Sequence, residues 1–373
     1  MKIPLSRPDI SQKEIKTIIE VLKTPYLSLG SRITEFEEKF SEFIGAKYAV
    51  AVSNATCGLH LIVRALEIDD GDEVITTPFS FISSANCILF ERAKPVFADI
   101  DPDTLTIDSK EIERKVTKRT KAILAVDVFG HPADWDAISR IAHRYGLYLI
   151  EDSAEALGSE YKGRKCGTFG DAAVFSFYPN KQITTGEGGM VVTCHKEIAE
   201  LSRSMANQGR RVKNGSWANH ERLGYNYRIS EINTALGIAQ ISRIREILSK
   251  RQKVANIYHK KLKGIDGIRI PFVGVDVKMG WFVYVILLSG QYSKKERDKL
   301  IKEMAKRGIE CRDYFSSIHL QPFYKKLFGY QDNDFPVCER VSARTMALPF
   351  YNNLSREDID YIVNNLQEVL GSV

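Results

Sequence analysis

The 373-residue sequence contains no uncharged apolar run of the roughly 18 residues that a membrane-crossing helix requires, and its opening residues lack the apolar core of a secretory signal peptide. A cytoplasmic protein without membrane association is the expectation. Its six cysteines are scattered, with no CxxC pair and no histidines at zinc-finger spacing, which argues against a zinc site or a disulfide scaffold and predicts free thiols and no metal. No GxxxxGK[ST] loop and no GxGxxG turn occurs, so a P-loop kinase and a dinucleotide-dependent dehydrogenase are not expected. Arginine-rich tracts, internal repeats and low-complexity segments are also missing. The net charge of +6 comes from 53 basic and 47 acidic side chains that are interleaved, a pattern that excludes nucleic acid as an expected partner and suits an anionic small molecule.

The hydrophobic fraction of 44% is ample for a folded core. Short apolar segments at 48–53, 73–77, 95–99, 122–127, 147–152, 172–177 and 190–193 alternate with helical patterns such as 135–145. Several of them, Ala122-Ile123-Leu124-Ala125-Val126 among them, are apolar without alternation, as strands covered on both faces are. The pattern predicts an α/β protein with a large, mostly parallel seven-stranded sheet flanked by helices. From Ser230 to about Lys263 a helical pattern without internal proline predicts one long helix that bridges two domains. Beyond it a smaller α+β domain is expected, with a strand at 281–288 and helices at 293–306 and 355–370, the last opened by a capping box in which Asp358 replaces the usual Glu or Gln. The expected division is 1–245 and 246–373.

The segment 151–190 concentrates the chemistry. Asp152 closes an apolar strand, and the carboxyl ends of parallel strands are where open α/β sheets place ligands. Lys181 follows a second strand and a Pro179-Asn180 turn, and precedes the glycine-rich loop Thr184-Thr185-Gly186-Glu187-Gly188-Gly189. Pyridoxal phosphate needs a lysine that becomes a neutral amine and an acid near its ring nitrogen, and these two residues can supply both. Each residue alone also reads as a solvated surface lysine or a strand-ending aspartate.

In this setting the chain resembles the sugar aminotransferases of the DegT/StrS group, vitamin B6 enzymes with the aspartate aminotransferase fold (fold type I). The resemblance rests on Tyr26-Leu27-Ser28-Leu29-Gly30, Ser53-Asn54-Ala55-Thr56, Thr77-Pro78-Phe79-Ser80-Phe81, Asp127-Val128-Phe129-Gly130, Gly224-Tyr225-Asn226-Tyr227-Arg228, Ile318-His319-Leu320-Gln321-Pro322 and Ala347-Leu348-Pro349-Phe350. It implies Lys181 as Schiff-base lysine and general base, Asp152 as the partner of the pyridine nitrogen, and Phe81 as the aromatic stacked on the cofactor ring, where a core position is the alternative. The amides of Ala55 and Thr56, at a helix start, and the Ser176 hydroxyl would bind phosphate; Thr56 also reads as a helix cap and Ser176 as an ordinary strand residue. Asn226 would reach the phosphate of a neighbouring subunit in a homodimer with shared active sites, with Arg228 nearby as a substrate or cofactor contact. Three positions depart from the usual pattern. Glu155 stands near the cofactor's hydroxyl side where Gln or His is common, and is either protonated or turned away; Ala55 stands for Gly and Tyr178 for His.

The retained lysine implies transamination from L-glutamate to a nucleoside-diphosphate keto sugar. The segment 314–324, with His319 and Gln321, resembles members that aminate carbon 4 of 4-keto-6-deoxy sugars, as perosamine-type synthases do for surface polysaccharides. His319 would contact the sugar or terminate a strand, and Ser28 and Gly30 would form a substrate-side loop or an ordinary turn. Amination at carbon 3 and a non-catalytic, cofactor-binding regulatory protein are the alternative readings.

Overall fold

The computed structural model describes residues 2–210 and 219–371. Its first sheet contains β1 (Tyr48–Val52), β2 (Glu73–Thr76), β3 (Lys94–Phe97), β4 (Thr120–Val126) and β5 (Tyr148–Asp152). A short hairpin of β6 (Glu160–Tyr161) and β7 (Arg164–Lys165) follows, and then β8 (Ala172–Ser176) and β9 (Gly189–Thr193) return to the large sheet. The order is β1-β9-β8-β5-β4-β2-β3. β9 runs antiparallel to both its neighbours, and every other pairing in this sheet is parallel. The seven expected strands are these seven. Their continuous apolar runs follow from burial on both faces: Val50, Leu124 and Val174 enter a core beneath the Ala55–Ala65 helix, while Ala49, Ala173 and Val192 enter another beneath the Ser31–Ile44 helix.

The expected helix over 230–263 is two helices, Glu231–Ser242 and Ile244–Leu262. At Arg243 the backbone (φ −106°, ψ 6°) leaves the helical region. The Arg243 guanidinium there meets Asp9 at 3.1 Å, Glu14 at 2.8 Å and Glu246 at 3.1 Å. Nothing in an apolar-periodicity pattern signals such a break, because it is held by side-chain charge rather than by proline or glycine.

A smaller antiparallel sheet combines β10 (Ile268–Arg269), β12 (Tyr284–Leu288) and β13 (Thr345–Leu348), while β11 (Val277–Lys278) joins the β6–β7 hairpin. The helices Lys294–Lys306 and Arg356–Leu370 close a separate core around Tyr258, Tyr284, Leu300 and Leu366. Ile3 belongs to this core as well and bridges to Ile309. Ser293 and Glu296 form a complete capping box, whereas only the Ser355 half forms at the last helix, where its hydroxyl accepts from the Asp358 amide at 3.0 Å. Asp358 is one methylene shorter than the Glu of the complete box.

The expected strand over 281–288 begins at Tyr284, because Arg251 takes the carbonyls that would start it. The Arg251 guanidinium donates to Trp281 O and Phe282 O, both at 2.6 Å, and to Asn352 Oδ1 at 3.0 Å. It is 3% exposed, and burial lowers its pKa to about 10. Among the described residues no carboxylate lies within ion-pair distance of it. Replacing Arg251 with Met strands two buried carbonyls and an amide oxygen, so Arg251→Met is expected to lower unfolding free energy by about 3 kcal/mol in urea titration, with Arg251→Lys recovering part of the loss.

Candidate active site

A cavity of about 670 Å³ opens at the carboxyl ends of β4, β5 and β8, and Phe282, Tyr314 and Phe315, which follow the Ile244–Leu262 helix in sequence, complete its lining. A larger groove of about 840 Å³ lies elsewhere, beside the Ile244–Leu262 helix, and is lined by cations such as Lys39, Lys165 and Arg245. The titratable groups that converge on each other are in the smaller cavity, and chemistry depends on convergence more than on volume.

Asp152 ends β5 and is buried. Its Oδ2 accepts from the Ser84 hydroxyl at 2.8 Å and its Oδ1 from the Ala154 amide at 3.2 Å. Burial pushes its pKa up, opposed by the Ser84 hydrogen bond and by the charge of Lys181. Lys181 sits in the loop after β8, in a turn closed by its own amide to Tyr178 O at 2.9 Å. Its Nζ lies 3.4 Å from Glu155 Oε1 and 3.8 Å from the centre of the Phe282 ring. Burial lowers the lysine pKa, and Glu155 and Asp152 counter this. Glu155 is not turned away: its Oε1 faces Lys181 while its Oε2 accepts from the Phe129 amide at 2.9 Å. Burial raises its pKa and Lys181 opposes the rise.

A helix start forms part of the lining. The helix begins at Ala55, and Asn54 is its cap, accepting from the Cys57 amide at 2.9 Å. Ala55 and Thr56 are therefore its first two residues, and their amides are among those an α-helix leaves without intrahelical partners. Ala55, Thr56 and Ser176 line the same cavity. Gly189 makes the packing possible, since a Cβ there would lie 2.6 Å from Ala55 N. Phe81, 61% exposed, stands at the cavity wall and not in the core.

Ala55, Thr56, Phe81, Asp152, Glu155, Ser176 and Lys181 are thus brought together. Ser28, Gly30, Asn226, Arg228 and His319 do not line this cavity. Gly30 caps the Ser31–Ile44 helix and donates its amide to Glu231 at 3.0 Å; a Cβ there would meet Glu231 Oε2 at 2.6 Å. Asn226 is exposed and lies between Tyr225 and Tyr227, whose rings stack 4.8 Å apart on the chain's own side. Arg228 donates to Asn207 at 3.1 Å. His319 is fully buried, with Nε2 3.1 Å from Glu339 Oε1 and its ring 4.7 Å from that of Phe335. Ser84, Tyr227, Phe282, Tyr314 and Phe315 are cavity or support residues that the sequence did not reveal. Tyr227 carried a signal by its place in the 224–228 motif, and Tyr314 and Phe315 by theirs in the 314–324 segment.

The donor set fits pyridoxal phosphate. An amine between two carboxylates, an acid anchored by two hydrogen bonds, an exposed aromatic and a helix start with flanking hydroxyls match its aldehyde, ring nitrogen, ring face and phosphate.

The sequence profile of the DegT/DnrJ/EryC1/StrS aminotransferase family matches residues 8–367. GDP-perosamine synthase of Escherichia coli O157:H7 is 38% identical over 98% of each chain. The spore coat polysaccharide biosynthesis protein SpsC of Bacillus subtilis is 37% identical, covering 99% of this chain and 97% of its own. Spr1654 of Streptococcus pneumoniae, solved in its PLP-form, superposes with a TM-score of 0.94 at 28% identity, covering 100% and 99% of the two chains.

Glu155→Gln removes a carboxylate that favours the Lys181 ammonium, so the pH midpoint for uptake of pyridoxal phosphate by the apo-protein is expected to move down by about one unit; an unmoved midpoint contradicts the pairing. His319→Gln is expected to lower the melting temperature and leave the KM for the sugar nucleotide unchanged, as steady-state kinetics would show.

Proposed function

Because this chain belongs to the DegT/DnrJ/EryC1/StrS aminotransferase family and is a pyridoxal phosphate-dependent sugar aminotransferase, we propose that it moves an amino group from L-glutamate to carbon 4 of a nucleoside-diphosphate-linked 4-keto-6-deoxy sugar. The product would serve surface polysaccharide synthesis. The observation that carries this reading is the buried Lys181 flanked by Glu155 and Asp152 in one cavity. The near-full-length likeness to GDP-perosamine synthase supports carbon 4, and the likeness to SpsC supports the polysaccharide destination.

Pyridoxal phosphate supplies the electron sink and carries the amino group between the two half-reactions. Lys181 is the residue that would anchor it, and its Nζ would serve as the base that moves the proton at the substrate carbon. Burial favours the neutral amine this role needs, and Glu155 is positioned to take or return the Nζ proton at 3.4 Å. Asp152 holds a negative charge for the ring nitrogen, with Ser84 and Ala154 fixing its carboxylate. Ala55, Thr56 and Ser176 would bind the phosphate, and Phe81 would cover the ring face. Phe282, Tyr314 and Phe315 exclude water from the side of the smaller unit.

The functional unit in this reading is a cytoplasmic homodimer in which Asn226 and Arg228 serve the partner's phosphate and substrate, and the two domains divide near residue 245. Support comes from Asn226, which is exposed and outside the lining of its own cavity, and from the exposed rings of Phe90 and Tyr178 that line it.

Lys181→Ala is expected to reduce transamination by at least ~10³-fold and to leave the cofactor removable by dialysis; retained activity sinks the assignment. Incubating the enzyme with L-glutamate and UDP-, GDP- or dTDP-linked keto sugars, followed by NMR of the product, tests the position. Nitrogen at carbon 4 is the expected result, and nitrogen at carbon 3 overturns the finer reading.

A further inference from the structure

Behind the site, on the side of β5 away from Asp152, lie two carboxylates with no cation beside them among the described residues. Glu151 and Asp127 are fully buried, and with the Cys166 thiol their ligand atoms lie within 4.8 Å of one another. Between them stands Ser153, whose Oγ is 2.8 Å from Asp127 Oδ2 and 2.9 Å from Glu151 Oε1. A hydroxyl has one hydrogen, so it satisfies one carboxylate, and the other contact needs a hydrogen on the carboxyl itself. The remaining positions are taken. Asp127 Oδ1 accepts from Ala133 N at 2.9 Å and from Trp135 Nε1 at 3.0 Å. Glu151 Oε1 accepts from the Gly167 amide, and its Oε2 from the Phe169 amide at 2.9 Å. The Cys166 thiol adds a weak S–H donor to Asp127 but does not link the two carboxylates, so the Ser153 bridge between them is still one hydrogen short, and four N–H donors leave these oxygens to a proton rather than to a cation.

We propose that Asp127, Ser153 and Glu151 hold one shared proton, and that this proton locks the turn that carries Asp152 and Glu155. The proposal rests on the reading of that turn as the cofactor site. Asp127, Glu151 and Ser153 are positioning residues in it, since none lines the cavity. Asp127 also begins the 127–130 turn whose Phe129 amide holds Glu155, so both ends of the Glu155 contact lead back to the same trio.

Burial and the charge of Asp127 push the Glu151 pKa up to about 8, and burial raises that of Asp127 as well. The other titratable group packed against them is Cys166, kept a neutral thiol by burial and by both carboxylates. Asp152 faces the other way. An unfolded glutamate releases its proton near pH 4.5, whereas the folded protein keeps this one to about pH 8. The folded state therefore binds more protons across that window, so this contribution weakens as pH rises through it and is constant beyond. Loss of the proton leaves two like charges on either side of one hydroxyl, and Ser153 must move.

Asp127→Asn tests the idea without breaking a bond, since its Nδ2 can donate to Ser153 permanently while Oδ1 keeps Ala133 and Trp135. The melting temperature of the holoenzyme is measured from about pH 5 to about pH 9. The variant-minus-wild-type difference is expected to rise with pH and level off near pH 8, and a constant difference overturns the proposal. In infrared spectra near neutral pH the wild type is expected to show the carbonyl stretch of a protonated carboxylic acid that Asp127→Asn lacks; its absence from the wild type also overturns the proposal. After dialysis near pH 9 the variant is expected to retain several-fold more pyridoxal phosphate, and equal retention removes the link to the turn. If neither protein takes up pyridoxal phosphate near neutral pH, the cofactor reading fails instead, and the first two measurements still decide whether the proton is there.

Discussion

Three ionisable groups buried in one cavity govern the architecture of this aminotransferase. Lys181 cannot stay charged out of water without a nearby negative charge, and Asp152 and Glu155 cannot stay ionised there without a positive one. Each therefore needs the others at close range. The strand β5 and the loop after β8 must deliver them to one place, which adjacent parallel strands do at their carboxyl ends. The 177–188 connection between β8 and β9 carries Lys181, and the turn at Asp127–Gly130 fixes Glu155 from behind.

The smaller unit completes the environment instead of merely packing beside it. Phe282 puts an aromatic face under the Lys181 amine, and Tyr314 and Phe315 close the wall. Water is excluded from the lysine by residues that lie roughly a hundred positions downstream, which is why neither half can form this cavity alone.

Much of this was legible because it is local. Strands covered on both faces announce themselves as unbroken apolar runs, and β4 is the clearest case. Asp152, Lys181 and the Ala55-Thr56 start could be picked out because each sits where a strand or helix ends. The rest depends on contacts distant in sequence. Residues 281–283 look like strand, and only the Arg251 side chain, thirty positions away, takes their carbonyls out of a ladder. The helix break at Arg243 is held by Asp9 and Glu14 from the other end of the chain. Ser84 is one serine among several until Asp152 is seen to accept from it, and Phe282 is one apolar residue in an apolar stretch until Lys181 is seen above it.

Arg251 also bears on how the catalytic amine is held. Its guanidinium ties Trp281, Phe282 and Asn352 together, so the segment that brings the Phe282 ring to the Lys181 amine is fixed from behind by three hydrogen bonds from one buried cation. The Ile244–Leu262 helix and that stretch of the cavity lining therefore move as one body. A change at Arg251, remote from the chemistry, would reach the lysine through the ring of Phe282.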